Sequence, residues 1–348
     1  MQKSESKSTR NIFSILREYW LTRPLFSTGM ALIVMILLQT LALGFNFSSF
    51  NEWFATWGQN WINILRNNAG IGIISLGMTL VIISGGIDLA VGSTLVAVGA
   101  AIMMLIDTGP QGILQNMGIT GLPAFAIAIV VGAIFGLILG EVSGLLITKG
   151  KLPPFIATLG TMKIFRSVTQ HFMQGYTPTV PAAFLSISSF KIGNQLLMPI
   201  IYWVILAVIF YIISTRTIFG RQVIAVGSNE RAAKLSGINV ESVKRRVYVI
   251  MGFLVALAAI IQVARIGSMD YANAGSGYEM DAISAVIVGG TSMMGGRGTI
   301  VGTVFGTLII AVMNNLLNLL GVPPFLREAF KGVIVIGAVL LQKKDSNS

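Results

Sequence analysis

The amino-acid sequence predicts an all-α, polytopic membrane protein with about ten transmembrane segments, some of them short or broken, in two inverted repeats. The first supporting observation is composition: 54% of the 348 residues are hydrophobic, 11% are charged, and the mean hydropathy is +0.80. A soluble domain of this size cannot hide so much apolar surface. The other two observations are the lengths of the apolar runs and an internal repeat.

Apolar runs define the predicted segments. Six runs reach the roughly twenty residues that a helix needs to cross a bilayer, and they lie at 25–45, 62–84, 123–147, 196–214, 246–263 and 299–320. Four shorter or interrupted runs lie at 89–106, 154–172, 281–290 and 325–341. The first run is too long for a signal-peptide core and has no small-residue cleavage site, so we expect it to be a retained span.

Basic residues set the predicted orientation, because cytoplasmic loops of membrane proteins collect Lys and Arg. With ten segments and both termini in the cytoplasm, most of the basic residues fall on the cytoplasmic side. The predicted organisation is a cytoplasmic N-terminal arm at 1–24, a transmembrane domain at 25–342 and a cytoplasmic tail at 343–348. Within the transmembrane domain, a basic cytoplasmic loop occupies 215–246.

The net charge of +11 does not indicate a nucleic-acid partner, because the basic residues lie between apolar runs and not on a soluble basic face. We expect the lipid bilayer to be the environment of this chain instead. Cysteine is absent and His171 is the only histidine. This composition excludes disulfides and thiolate metal sites and argues against an imidazole metal cluster. We therefore expect no metal or cofactor bound by this chain.

Part of the chain recurs in register at a constant offset. The identical residues are Val131, Gly132, Phe135, Gly136, Val142, Leu146, Pro153, Pro154 and Phe155, matched by Val301, Gly302, Phe305, Gly306, Val312, Leu316, Pro323, Pro324 and Phe325. The two copies are the fourth and ninth predicted segments, so they cross the membrane in opposite senses. An inverted repeat with halves at about 60–175 and 245–342 is typical of transporters whose site lies near the bilayer midplane.

The loop at 215–246 contains a short predicted helix. Asn229 is expected to cap its first amides, Glu230 suits its positive end, and Gly237 can leave it with a positive φ. A helix this short is marginal alone in water, so it needs a surface to pack against. A protein partner and an anionic lipid surface are the two alternatives, and the small apolar face of Ala232, Ala233, Leu235 and Ile238 favours the protein.

Polar interruptions of the apolar segments mark the candidate translocation pathway. Asp88 follows two glycines, and it either caps the third segment or faces the pathway. Glu279 and Asp281 follow a polar outer loop, and they either line the entrance or simply begin a helix. For Lys163 and Lys331 we expect side chains that reach the headgroups. The candidate pathway or gate residues are Asp88, Phe155, Glu279, Asp281, Asn314 and Phe325.

The glycine-rich stretch at 289–298 lacks the Gly-Lys-Ser/Thr ending of a phosphate loop, and no strand precedes it. Close helix packing is its expected role. Since no complete phosphate loop occurs elsewhere in the sequence, ATP hydrolysis would have to come from another polypeptide.

Several blocks together resemble the permease subunits of ribose- and galactose-type ABC sugar importers. The blocks lie, in order, at 85–92, 154–160, 219–221, 225–240, 277–283 and 289–292. The resemblance implies a bacterial inner-membrane permease that imports a monosaccharide such as ribose or a similar pentose or hexose. It also implies a second permease copy, identical or not, an extracytoplasmic sugar-binding protein, and an ATPase that binds ATP and Mg²⁺. It makes the short helix the ATPase-coupling helix, with residues Asn229, Glu230, Arg231, Ala232, Ala233, Lys234, Leu235 and Gly237.

Two other functions suit the same architecture. An ion-coupled secondary transporter would use Asp88, Glu141 or Glu279 to couple an ion to its substrate. An ABC permease for nucleosides or branched-chain amino acids would share the segment pattern. In each case the chain is a transport subunit and not an enzyme.

Overall fold

The computed structural model describes residues 24–44, 48–192 and 194–346, and the predicted N-terminal arm at 1–23 lies outside this part of the chain. The described residues form helices joined by loops, and the only strand-like pairing among them is an isolated bridge between Ile192 and Gln195. The predicted all-α class is confirmed.

Fourteen helices follow one another along the described chain. The first eight are α1 Pro24–Leu43, α2 Phe50–Ile83, α3 Val91–Ile106, α4 Ile113–Asn116, α5 Leu122–Thr148, α6 Pro154–Met173, α7 Ala182–Ser189 and α8 Met198–Arg216. The remaining six are α9 Ile218–Ser228, α10 Glu230–Leu235, α11 Val240–Ile266, α12 Tyr278–Val288, α13 Ile300–Leu319 and α14 Pro324–Ser346.

Six of these helices, α1, α2, α5, α8, α11 and α13, are long and apolar enough to cross a bilayer. They overlap the six long apolar runs of the sequence, and the helices α3, α6, α12 and α14 lie at the four shorter ones. Helix α2 begins at Phe50, well before the predicted run at 62–84. The polytopic fold is therefore confirmed, while the count of ten spans stays a prediction. The shortest segment was predicted to begin at Asp281, but its helix begins three residues earlier, at Tyr278.

Of the six bilayer-length helices, α2 and α11 are the most buried, whereas α1 and α8 lie at the periphery. The shorter helix α3 is also buried along most of its length. The peripheral helices leave large aliphatic side chains exposed, for example Leu41 at 63% and Val208 at 53%. Surfaces of this kind are costly in water but suit the hydrocarbon of a bilayer. The fold therefore has a packed interior and a lipid-compatible exterior.

The helix contacts repeat in the two halves of the chain. Helix α11 packs on α5 and α3, and its counterpart α2 packs on α13 and α12. Likewise α3 packs on α5 and α6, and α12 packs on α13 and α14. The two halves therefore pack in equivalent ways, which supports a duplicated four-helix unit.

Glycines allow the closest helix approaches. A Cβ atom on Gly252 of α11 would overlap the carbonyl oxygen of Gly136 on α5, and one on Gly140 would overlap that of Tyr248. In the other half, a Cβ atom on Gly306 would overlap the carbonyl of Ala285. Small residues let membrane helices pack through their backbones, because lipid supplies no hydrophobic force between helices.

We expect Gly252→Ala to destabilise the protein by about 1–3 kcal/mol, since the added methyl group meets backbone atoms that cannot move aside cheaply. Thermal unfolding of the detergent-purified protein measures this change. Gly70→Ala is the matched control, because the nearest atom to its new methyl group would be the Ala258 Cβ at 4.0 Å. The control should be neutral or stabilised by up to about 1 kcal/mol, as Ala is the better helix former. Equal unfolding temperatures for the two variants would contradict the prediction.

Candidate functional site

The short helix predicted in the basic loop is present as α10, Glu230–Leu235. The Asn229 side chain accepts a hydrogen bond from the Ala232 amide at 3.0 Å, and Gly237 has a φ of 82°. Both predictions about the ends of this helix are confirmed. The preceding helix α9 is capped in the same way, as the Thr217 hydroxyl accepts from the Gly220 amide at 3.2 Å.

The exposed face of α10 differs from the predicted one. Ala233 is 4% exposed and packs against its own chain, whereas Leu235 is 90% exposed. Ile238 is half-buried, and Ala232 is exposed together with the basic side chains of α10. The apolar surface offered to a partner is therefore centred on Leu235, and Ala233 fastens the helix to the protein.

Two ion pairs hold the basic loop. Lys244 pairs with Glu230 at 2.6 Å, which joins α10 to the start of α11. Arg245 lies 3.5 Å from Glu141, which joins α11 to the end of α5. Glu141 was a candidate coupling group for an ion, and here its contact is with this arginine. Arg231 and Lys234 remain exposed on α10, so this surface is basic.

The basic loop packs directly against the end of α2 and the glycine-rich loop. The Gly296 amide donates to the Ile83 carbonyl at 2.9 Å, and a Cβ atom on Gly227 would overlap the same carbonyl. Gly295 and Gly296 both have positive φ. The glycine-rich stretch therefore provides close backbone packing, as predicted. The backbone of α9 at Gly227 therefore contacts the end of α2 directly, with no side chain between them.

Asp88 lies in the non-helical segment at 84–90 between α2 and α3. Its carboxylate is buried and accepts from the Ala90 amide at 2.8 Å, just before α3 begins. The neighbouring Ile87 carbonyl accepts from the Tyr248 and Thr158 hydroxyls at 3.2 and 3.3 Å. Non-helical backbone at membrane depth needs such partners. Of the two alternatives for Asp88, capping of α3 is not observed, because the residue that precedes the helix is Ala90 and α3 has no side-chain cap. The Asp88 carboxylate instead closes a turn in the segment before the helix.

The second break in the helices lies before α12. A Cβ atom on Gly92, in the first turn of α3, would lie 3.0 Å from the Glu279 Oε2 atom and would overlap the Gly275 carbonyl. Arg166 of α6 donates to the Ala274 carbonyl at 2.7 Å. The starts of α3 and α12 therefore meet. Glu279 lies in the first turn of α12, and Asp88 lies in the segment just before α3.

Lys331 does not reach the membrane surface. It is 8% exposed and pairs with Asp281 at 2.8 Å, and it also contacts Glu328 at 2.8 Å. The prediction that its side chain reaches the headgroups is wrong, because a buried carboxylate on α12 lies within its range. Lys163, on the equivalent helix α6, is exposed.

The remaining pathway candidates are Phe155, Phe325 and Asn314. Phe155 and Phe325 occupy equivalent positions in the first turns of α6 and α14, and they are 54% and 74% exposed. Asn314 lies on α13 in a polar cleft between α2 and α13. The structure thus brings Asp88, Glu279 and Asp281 to adjoining segments, whereas the two phenylalanines are exposed and Asn314 lines the polar cleft.

Asp107, at the end of α3, holds the loop after α6 through hydrogen bonds. The sequence of this loop shows no interpretable pattern. The Asp107 carboxylate accepts from the Tyr176 hydroxyl at 2.6 Å and from the Thr179 and Gly109 amides at 2.7 and 2.8 Å. Burial raises the pKa of Asp107, but these three hydrogen bonds outweigh burial, so its pKa lies below the ordinary 3.8.

We expect Asp107→Asn to release the loop at 174–181, because an amide cannot accept from three donors as the carboxylate does. The loss is about 1–3 kcal/mol of local stability, measured as faster hydrogen exchange across this loop. Since the folded pKa is depressed, the stabilisation is fully present above the ordinary value of 3.8 and is lost as the pH falls through the lower folded value. Tyr176→Phe removes one donor and should have a smaller effect. A wild-type exchange rate in Asp107→Asn would contradict this role.

Comparisons with known proteins agree with this architecture. A family model described as branched-chain amino acid transport system / permease component matches residues 60–339. The ribose import permease protein RbsC of Bacillus subtilis (strain 168) is 44% identical over 289 residues, which cover 82% of this chain and 85% of the relative. RbsC of Escherichia coli (strain K12) is 39% identical over 321 residues, or 90% and 92% of the two chains. The galactofuranose transporter permease protein YtfT of the same organism is 35% identical over 288 residues, or 81% and 79%. No solved structure matches the chain.

Six bilayer-length apolar helices, with breaks in the shorter helices near buried charged side chains, are typical of membrane-spanning transport subunits. The chain belongs to the permease family just described, since the match covers most of its length. The predicted resemblance to ABC importer permeases is confirmed. Permeases of this class work with an ATPase and a substrate-binding protein.

Proposed function

We propose that this chain is the membrane-spanning permease subunit of an ABC importer that carries a monosaccharide, ribose or a similar pentose or hexose, into a bacterial cell. The observation that carries the proposal is the 44% identity to a ribose import permease over 82% of the chain. The sequence contains no complete phosphate loop, so ATP and Mg²⁺ would bind to the partner ATPase. In this proposal both termini and α10 lie on the cytoplasmic side of the inner membrane.

The ATPase is proposed to dock on α10. Leu235 supplies an exposed apolar centre, and Arg231 and Lys234 supply positive charges around it. An apolar centre surrounded by a polar rim is typical of specific protein interfaces. The direct backbone contact between α9 and the end of α2 would carry a movement of the docked ATPase towards the segment at 84–90 and Asp88.

A second permease copy, identical or different, is proposed to complete the pathway. Support comes from the exposed faces of α6 and α14, which the repeat places in equivalent positions and which each carry an exposed phenylalanine. Phe155 and Phe325 would face the partner or the pathway between the copies. An extracytoplasmic binding protein would deliver the sugar to the opposite end from α10.

Uptake into proteoliposomes tests the proposed function. The permease is reconstituted with its partner ATPase and sugar-binding protein, and radiolabelled ribose uptake is followed with and without ATP. We expect uptake only when all components and ATP are present. Uptake driven by an ion gradient without the ATPase would establish a secondary transporter instead. ATP-driven uptake of leucine or a nucleoside, with no sugar transported, would assign the chain to another substrate class.

A further inference from the structure

A polar cleft lies between α2 and α13. It encloses about 250 Å³, and asparagine side chains dominate its wall, namely Asn63, Asn67, Asn68, Asn314, Asn315 and Asn318. The spacing of four residues on each helix places its side chains on one face, so the two helices turn amide-rich stripes toward each other. Among the pathway candidates taken from the sequence, only Asn314 belongs to this cleft.

The cleft lies at the end of the protein away from the basic loop. Helix α13 begins beside the glycine-rich loop, which contacts the end of α2 through Gly296. The cleft residues occupy the last two turns of α13, and Arg327 completes the wall from the first turn of α14. In the proposed orientation this end faces the compartment from which the substrate arrives.

Hydrogen bonds hold the wall of the cleft in place. Asn60 and Asn315 exchange two amide hydrogen bonds, at 3.1 and 3.2 Å. Arg265 donates to Asn67 at 2.8 Å, and Arg327 donates to Asn318 at 2.9 Å. Within the described residues neither arginine pairs with a carboxylate. The guanidinium groups therefore serve to orient neutral amides, and the amides are the groups presented to a ligand.

One amide oxygen of this wall lacks a donor. Asn314 Oδ1 is buried, and no donor of the described chain bonds to it. A buried acceptor left unpaired costs free energy. Because the Asn314 side chain lines the cleft, rotation of its amide would turn the oxygen to the cleft, where a ligand that supplies a hydrogen can recover this cost. Hydroxyl groups both donate and accept, so they match a wall of amides. A phosphate or carboxylate offers acceptors alone, which suits Arg327 but not Asn314.

We propose that this cleft binds the hydroxyl groups of a monosaccharide as the sugar enters the permease. The proposal rests on the proposed function and extends it by naming a contact site for the substrate. The site lies on α2 and α13, apart from the charged cluster of Asp88, Glu279 and Asp281. The amides would orient the hydroxyls, and Arg327 would keep Asn318 in position.

Thiol protection tests occupancy of the cleft directly. Because the sequence contains no cysteine, Asn318→Cys introduces a unique thiol into the full chain, assembled with its ATPase in nanodiscs. We expect D-ribose to slow maleimide labelling, by about tenfold when the sugar is at ten times its Kd. Asn51→Cys, an exposed position on the same helix α2, should label at a rate that ribose does not change. Absence of protection, or protection by inorganic phosphate in place of ribose, would overturn the proposal.

Sugar uptake by a second variant tests the role of the unpaired Asn314 Oδ1 atom. Asn314→Leu should reduce ribose uptake by about tenfold, the effect of one lost hydrogen bond to the substrate, while co-purification of the ATPase is unchanged. Asn51→Leu should transport like the wild type. Failure of the cleft proposal can be told apart from failure of the proposed function. If the wild type imports ribose but ribose does not protect the thiol from labelling, the cleft proposal alone falls. If ribose protects the thiol of the Asn318→Cys variant but the wild type imports no sugar, the proposed function falls.

Discussion

Replacing Lys331 with methionine is expected to destabilise the protein by about 3–5 kcal/mol, because the change leaves the buried Asp281 carboxylate without its cation. The ion pair joins the short helix α12 to α14, so its loss weakens the packing of these two helices. Methionine is of similar length and can fill the space that the lysine stem occupies. The loss is measured by thermal unfolding of the detergent-purified protein, together with the amount that reaches the membrane.

The double variant Asp281→Asn with Lys331→Met separates a lost charge pair from lost packing. Replacing both ions by uncharged groups of similar size is often neutral for stability, so the double variant should recover most of what Lys331→Met loses. Lys163→Met is the matched control, since this lysine is exposed on the equivalent helix α6. Wild-type stability in Lys331→Met, or a double variant as unstable as the single one, would show that the pair contributes little.

Local features of the sequence predicted much of this structure correctly. The long apolar runs identify the six bilayer-length helices, because a run of that length needs no knowledge of its neighbours. Asn229 and Gly237 end α10 as expected, since a cap and a positive φ depend only on adjacent residues. The Gly-x-x-Phe-Gly pattern recurs at 132–136 and 302–306. These two copies lie on α5 and α13, which pack in equivalent ways in the two halves of the chain.

Features that depend on tertiary contacts were predicted less well. Ala233 was assigned to the docking face, but the direction in which α10 lies on its own chain buries it. Lys331 was expected at the headgroups, because nothing in the sequence relates it to Asp281 on another helix. The asparagines at 63, 67, 314 and 318 do carry a signal, which is their spacing of four residues on two helices. That spacing becomes meaningful only when α2 and α13 are known to be neighbours.

The second large effect is expected at Leu235, whose side chain is 90% exposed and therefore contributes little to the fold. We expect Leu235→Asp to lower affinity for the ATPase by about 100-fold or more, because burial of the leucine is lost and a charge would have to be desolvated at the interface. ATP-driven sugar uptake should fall with it. Ala233→Asp is a poorer test, since burying a charge within the protein would disturb folding before docking.

Three measurements distinguish docking from folding at this position. Leu235→Asp should keep the wild-type unfolding temperature and membrane abundance while it fails to co-purify with the ATPase. Leu235→Met should retain both docking and uptake, because it keeps the apolar volume. Binding to anionic vesicles addresses the lipid alternative: if α10 rests on lipid, Leu235→Asp would weaken vesicle binding and leave ATPase co-purification intact. The exposure of a single leucine among basic side chains favours the protein partner, since one aliphatic anchor buries too little area to hold a helix in a membrane surface.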